Sequence, residues 1–152
     1  MTDDLDAMES WAAPLLERLQ PAERRKLARD IARALRKNQA GRIKAQKNPD
    51  GSPFEPRKPQ ARAQGGGIRR SAMFTGIRKA KYLKGQARGD DARVGFFGRV
   101  SRIARVHQQG LRDNVDSNGP WHDYPERRLI GYSAADRALV RDMILDRLGE
   151  DL

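Results

Sequence analysis

A turn followed by a long Pro- and Gly-rich stretch divides the chain into parts that must fold differently. Asn48-Pro49-Asp50-Gly51 stops a preceding helix, because the residue before a proline disfavours helical backbone and Asp-Gly favours a turn. Residues 52–70 then contain three prolines, three consecutive glycines and five basic residues, a composition that cannot support a core. We therefore expect a helical arm over 1–47, an extended basic loop over 48–70 and an α+β body over 71–152, all within a single domain.

Apolar residues recur at helical spacing before this turn. The first stripe consists of Leu5, Met8, Leu15, Leu16 and Leu19, and Pro14 interrupts it, so a first helix begins late or bends there. Pro21 suits the first turn of a second helix, where its missing N–H costs nothing. This helix is predicted to continue to about Gln46, with an apolar face of Leu27, Ile31, Ala34 and Leu35.

Shorter patterns follow the basic loop. Met73, Phe74 and Ile77 predict a short helix to about Lys79. Residues 82–84 and 92–97 flank Gly89-Asp90-Asp91 and predict a hairpin. A short helix over 101–109 ends at Gly110, a polar loop covers 112–123, and residues 128–132 predict a strand.

A last helix is predicted after Ser133, with Asp136 as the second member of a capping box. Its apolar stripe consists of Leu139, Val140, Met143, Ile144 and Leu148. The predicted architecture is α+β: a long N-terminal helical arm, a small antiparallel β-sheet of barrel- or sandwich-like form with packing helices, and a C-terminal helix.

The composition predicts a small hydrophobic core, and the charges are distributed unevenly along the chain. Leu, Ile, Val and Phe supply 29 of 152 residues, whereas the net charge is +11, a combination close to that of disordered chains. Two interpretations are open: a core that neighbouring subunits complete, or an ordinary domain with a basic linker. Residues 24–105 contain 24 of the 31 Lys and Arg residues and only five acids, whereas both ends are acidic.

The residues that enzymes need are scarce. The chain has no cysteine and two histidines, His107 and His122, so neither a disulfide nor a thiolate metal site can form. Gly65-Gly66-Gly67 lacks the Lys-Ser/Thr of a phosphate loop. No apolar run approaches the roughly 20 residues of a membrane span. We therefore predict a protein of the cytoplasm, or of an assembly made there, with no catalytic activity, no cofactor, no metal and no membrane contact.

The basic middle of the chain leaves nucleic-acid binding open. It offers many phosphate contacts, whose affinity would fall with salt. No zinc finger, recognition helix or pair of stacking aromatics is present for reading bases. Phe96 and Phe97 are adjacent and point to opposite faces of a strand, which favours core or subunit contacts. A stand-alone protein that binds nucleic acid without sequence specificity is therefore the alternative to a structural subunit.

Four stretches, taken in order, resemble one family. They are AQKNPDGSPF at 45–54, MF-x-x-IR-x-A-x-YL at 73–83, VGF-x-GR-x-x-RIA-x-VHQ-x-GL at 94–111, and YP-x-R-x-LIG at 124–131. The set resembles the phage virion-morphogenesis family, specifically the tail-completion proteins of temperate contractile-tailed phages. The resemblance extends over residues 20–148, and the Gly-rich stretch 62–70 departs from it.

The resemblance implies a structural head–tail junction protein that forms a ring, with a hexamer expected, at the head-proximal end of the tail. It implies tail tube and sheath proteins, head-side connector or neck proteins and passing DNA as partners, in a virion assembled in the host bacterial cytoplasm.

Two groups of residues become candidates on this basis. The family-motif group consists of Pro49, Asp50, Gly51, His107, Gln108, Gly110 and Gly131. The candidate basic contact surface, for DNA or an acidic partner, consists of Arg57, Lys58, Arg62, Arg69, Arg70, Arg78 and Lys79. The first group also has purely structural explanations: Pro49-Asp50-Gly51 ends a helix, and His107 bonds the last carbonyls of one. A hydrogen bond from His107 to a neighbouring subunit is a further hypothesis.

Overall fold

The computed structural model describes residues 2–57, 72–114 and 118–150. Four helices lie in these ranges: α1 (Thr2–Leu16), α2 (Pro21–Lys44), α3 (Ser101–Gln109) and α4 (Ala134–Glu150). The strands there are β1 (Leu83–Arg88), β2 (Asp91–Phe96), β3 (Arg112–Asn114) and β4 (Trp121–Asp123). Helices alternate with antiparallel strand pairs, which confirms the predicted α+β class. The single-domain organisation, with boundaries after residues 47 and 70, stays a prediction.

A first hydrophobic cluster joins α1, α2 and α4. Its buried members are Ala12, Leu19, Leu27, Ile31, Val140 and Ile144. The helix α1 begins at Thr2 and continues through Pro14, so it does not begin late. Leu5, the first residue of the predicted stripe, is 44% exposed, because the contacts of α1 with this cluster begin at Met8.

A second cluster joins the C-terminal end of α2 to the first strand and to α3. Its buried members are Ile43, Phe54, Met73, Leu83, Ala104 and Leu129. The helix α2 therefore contributes to both clusters, through Leu27 and Ile31 to the first and through Ile43 to the second. One long helix thus fixes the positions of the two halves of the core.

The predicted hairpin is confirmed. Leu83 pairs with Phe96 at one end of β1 and β2, and Arg88 pairs with Asp91 beside the turn. Where β1 crosses α2, Gly85 allows very close contact: a Cβ atom there would lie 2.2 Å from the carbonyl oxygen of Ala32. Only glycine permits this approach, and it brings the hairpin directly onto the helix.

The predictions for three other segments are wrong in detail. Residues 75–82 form turns instead of a short helix. The predicted polar loop contains the antiparallel pair β3–β4, so the described strands form two separate two-stranded sheets instead of one barrel- or sandwich-like sheet. Residues 128–132 do not form a strand, because side chains take the place of a neighbouring strand. The Asn48 side chain accepts from the backbone amide of Arg128, and the Gln108 side chain bonds both the amide and the carbonyl of Ile130.

The ends of α3 and α4 match the sequence patterns. Gly110 ends α3 with left-handed backbone at φ 62°. At the start of α4 the Ser133 backbone donates to the Asp136 carboxylate at 3.0 Å, and the Asp136 backbone donates to the Ser133 hydroxyl at 3.1 Å. These reciprocal bonds confirm the predicted capping box. Within the predicted stripe of α4, Val140 and Ile144 are the buried residues.

Candidate functional site

Pro49, Asp50 and Gly51 lie in a tight reversal after α2. The Asp50 carboxylate accepts hydrogen bonds from the Ser52 backbone at 2.9 Å and from the Ser52 hydroxyl. These bonds lower the pKa of Asp50. The backbone of Gly51 donates to the Asn48 carbonyl at 2.9 Å and has φ +89°, a region that favours glycine. The geometry fits the structural interpretation of this motif, a chain reversal.

Two amide side chains beside this turn connect it to distant segments. Gln46 donates to the carbonyl oxygen of Met73 and accepts from the Met73 amide, both at 2.8 Å. Asn48 accepts from the backbone amide of Arg128 at 2.8 Å. Three of the four motif stretches therefore meet at the C-terminal end of α2.

His107 is held in an aromatic pocket beside a buried arginine. Its Nδ1 lies 3.1 Å from Nη1 of Arg127, which is 4% exposed. A guanidinium group only donates, so Nδ1 is the unprotonated nitrogen of a neutral ring. The rings of Phe74 and Tyr124 contact it edge-on, with centroids 4.8 and 5.1 Å away. Burial, reinforced by the charges of Arg127 and Arg57, lowers the pKa of His107 to about 4.

Arg127 uses its remaining donors on the segment after the turn. Its Nε donates to the Glu55 carbonyl at 2.7 Å, and its Nη2 donates to the Pro56 carbonyl at 3.1 Å. In place of the expected bonds to the last carbonyls of α3, Nδ1 of His107 faces Arg127, and a neutral ring would not favour the helix dipole. Nδ1 of His107 is used within the chain, and a hydrogen bond from this ring to a neighbouring subunit stays a hypothesis.

Gln108, Gly110 and Gly131 surround the same region. Gln108 donates to the Ile130 carbonyl at 2.7 Å and accepts from its amide at 2.9 Å. A Cβ atom on Gly110 would lie 3.1 Å from the backbone nitrogen of Glu126, so close packing adds to the backbone requirement there. Gly131 donates its backbone N–H to the Gln39 side chain at 3.2 Å. The contacts at all three positions fit a structural role.

The sequence reasoning missed a buried polar network centred on Asp136. Its carboxylate is 1% exposed and accepts from Gln39 at 2.9 Å, from Asn38 at 3.1 Å and from the Ser133 backbone. Arg42 donates to the Gln39 side chain, and burial lowers the pKa of Arg42. The capping box identifies Asp136, but the burial of this network depends on how α2 and α4 pack.

The structure places three of the seven candidate basic contact residues. Arg57 is exposed and close enough to His107 to affect its pKa, whereas Arg78 and Lys79 lie in the turns before β1. The carbonyl oxygen of Arg78 accepts from Arg36 at 3.2 Å. The other four lie outside the described residues: Lys58, Arg62, Arg69 and Arg70.

A different basic surface lies between α2 and the hairpin. A groove of about 720 Å³ is lined by Arg29, Arg33, Arg88 and Arg93 around the exposed Phe97, and we call it the arginine groove. Arg93 lies 3.8 Å from the Asp91 carboxylate, whereas the other three arginines form no ion pair within the described ranges. The four-residue spacing of Arg29 and Arg33 was visible in the sequence, but the position of the hairpin beside them was not.

The arginine groove is suited to binding. Within residues 2–57, 72–114 and 118–150, no cluster of three or more His, Asp or Glu side chains could hold a metal ion. The helices in the same ranges include none with the length and apolar character of a membrane span. The arginine groove can attract carboxylates or phosphates, and Phe97 adds an apolar contact.

The sequence defines the class of the chain: it belongs to the phage virion morphogenesis family, whose model matches residues 3–149. One relative is the tail completion protein S of Escherichia phage P2. The two chains are 38% identical over 148 residues, which is 96% of this chain and 98% of the relative. No solved structure matches the chain significantly.

Proposed function

We propose that the chain is a structural tail completion protein, which forms a ring at the head-proximal end of a phage tail so that the tail can join a DNA-filled head. The observation that carries this proposal is the 38% identity to a tail completion protein over almost the full length of both chains. It has no catalytic activity in this role. Its place is in the virion, and its partners are tail and head proteins.

The fold supports a role in assembly. The two clusters of the core are small and are joined by α2, while several large apolar side chains stay exposed. They are Leu5, Phe97, Ile103, Trp121 and Leu145. These side chains can be buried in the apolar core of a contact between subunits. A hexameric ring is the expected assembly.

Deletion of the coding sequence from the phage that encodes the chain tests this function. Lysates of the deletion phage should contain filled heads and separate tails, and expression of the chain in trans should restore joined particles. Electron micrographs give the fraction of joined particles, and plaque counts give their infectivity. Joined, infectious particles without the chain would refute the proposal.

The arginine groove favours a second candidate, a protein that binds nucleic acid without sequence specificity. Its four arginines could contact phosphates, and such binding weakens steeply as salt rises. Mass measurement of the purified chain with and without a short DNA duplex separates the two functions. A ring that forms without DNA supports the structural role, whereas a monomer that binds duplex DNA with a steep salt dependence supports the second candidate.

A further inference from the structure

The outer surface of α1 carries charges opposite to those of the arginine groove. Asp3, Asp6 and Glu9 are all exposed, and we call them the acidic face. At about 100° per residue, they lie within an arc of about 120° around the helix axis. Residues 2–16 contain no Lys or Arg, so no base on this helix offsets their charge. Leu5, 44% exposed, lies at the edge of the acidic face.

The acidic face and the arginine groove point in opposite directions within one chain. Ile31 packs in the cluster that contains α1, and Arg29 lies about 160° from it around α2. On α1, Met8 packs in the same cluster, and Asp6 lies about 160° from it. The helix α1 and the arginine groove therefore lie on opposite sides of α2, and the acidic side chains of α1 point away from α2. The two surfaces of one chain cannot meet each other.

Complementary surfaces on opposite sides of a subunit are what a head-to-tail contact requires. Such a contact joins two different patches and generates a ring when the rotation between copies closes. We infer that the arginine groove of one copy binds the acidic face of α1 of the next copy, with Leu5 against Phe97. This inference rests on the proposed ring and identifies the surfaces that form it.

A second copy explains the observations better than a nucleic acid does. Phosphates would occupy the arginines but would leave the acidic face and the exposed Leu5 without a partner. A second copy pairs both charged surfaces and both exposed apolar side chains in one contact. Opposite charges across such a contact guide association and fix the orientation of the partners.

Charge reversal tests the contact. The groove variant is Arg29→Glu/Arg33→Glu, and the helix variant is Asp6→Lys/Glu9→Lys. All four side chains are exposed, and circular dichroism checks that each variant is folded. Each variant places like charges against each other, so self-association should weaken by at least about a hundredfold. Lys44→Glu/Arg105→Glu, two exposed bases outside the groove, is the matched control and should assemble like the wild type.

Combining the two sets of charge reversals gives the decisive result. A chain with all four changes, or an equimolar mixture of the two variants, should regain assembly, because the introduced glutamates then meet the introduced lysines. The mixture closes only rings with an even number of copies, which a hexamer satisfies. Analytical ultracentrifugation at about 100 μM detects contacts with micromolar dissociation constants. Recovery in both samples, with an unaffected control, supports the inference.

Several results would overturn it. They are a wild-type chain that stays monomeric at this concentration, single variants that assemble normally, and folded variants that do not recover when combined. Loss of duplex binding by the groove variant with unchanged assembly would assign the groove to nucleic acid. The deletion phage separates this inference from the proposed function: if the wild-type chain and both variants all restore joined particles, only the inference fails. If the wild-type chain does not restore them, the proposed function fails.

Discussion

The neutral His107 ring should make the stability of the protein depend on pH between 4 and 6.5. Burial and the neighbouring arginine charges lower the pKa of His107 to about 4, from an ordinary value of about 6.5 in the unfolded chain. Between these values the unfolded chain binds a proton that the folded chain does not. The free energy of unfolding is therefore highest above pH 6.5 and falls as the pH approaches 4.

The size of the effect follows from the two pKa values. Linkage gives a loss of about 1 kcal/mol at pH 6, about 2 kcal/mol at pH 5 and about 3 kcal/mol at pH 4, relative to neutral pH. Asp50 and Asp113, whose pKa values are lowered by hydrogen bonds from Ser52 and Arg102, contribute mainly below this range. The interval from pH 7 to pH 5 therefore isolates the histidine.

Urea unfolding at pH 7, 6 and 5 measures this slope. His107→Gln keeps an acceptor for Arg127 but cannot titrate, so its stability should change little over the interval. His122→Gln is the matched control, because His122 is exposed on β4, and it should keep the wild-type slope. Equal slopes in the wild type and His107→Gln, or an NMR titration that places the pKa of His107 near 6.5, would refute the argument.

Three further substitutions test the packing by urea unfolding at neutral pH. Gly85→Ala should lower the free energy of unfolding by about 3 kcal/mol, because the new Cβ would lie 2.2 Å from the carbonyl oxygen of a residue in α2. Gly41→Ala is the control: its Cβ would meet no atom within 4 Å, so the change should be neutral or stabilise α2 by about 0.5–1 kcal/mol. Equal effects of the two substitutions would contradict the close crossing of β1 and α2. Asp136→Ala should lower the free energy of unfolding by about 3–5 kcal/mol, because it leaves the buried donor of Gln39 and the partly buried donor of Asn38 unpaired. A decrease under 1 kcal/mol would argue against the buried network. Gly110→Ala should cost about 1–2 kcal/mol, and no loss would contradict the left-handed cap.

Local patterns in the sequence predicted the hairpin, the starts of α2 and α4 and the end of α3. Pro21 marks the start of α2, the Ser133–Asp136 box the start of α4, and Gly110 the end of α3, because each signal acts through backbone groups a few residues away. Residues 128–132 were misassigned because their partners are side chains from distant segments. Periodicity carries no information about such partners.

The candidate site was harder to predict for the same reason. The motif residues were found, yet the neutral state of His107 depends on Arg127, twenty residues along the chain. The arginine groove depends on Gly85, which brings the hairpin onto α2 and places Arg88 beside Arg29. Charge counts identify a basic region, whereas only the packing shows which bases share a surface.

Two glutamines, Gln46 and Gln108, act as substitutes for a peptide group toward distant backbone segments. Gln46 and Gln108 each present a donor and an acceptor together, so each completes the pairing of Met73 or Ile130 as a neighbouring strand would. Glutamate has nearly the same shape but offers only acceptors, one of which would face a carbonyl oxygen. The smallest chemical change at these positions, deamidation, therefore disrupts the pairing while leaving the packing volume unchanged.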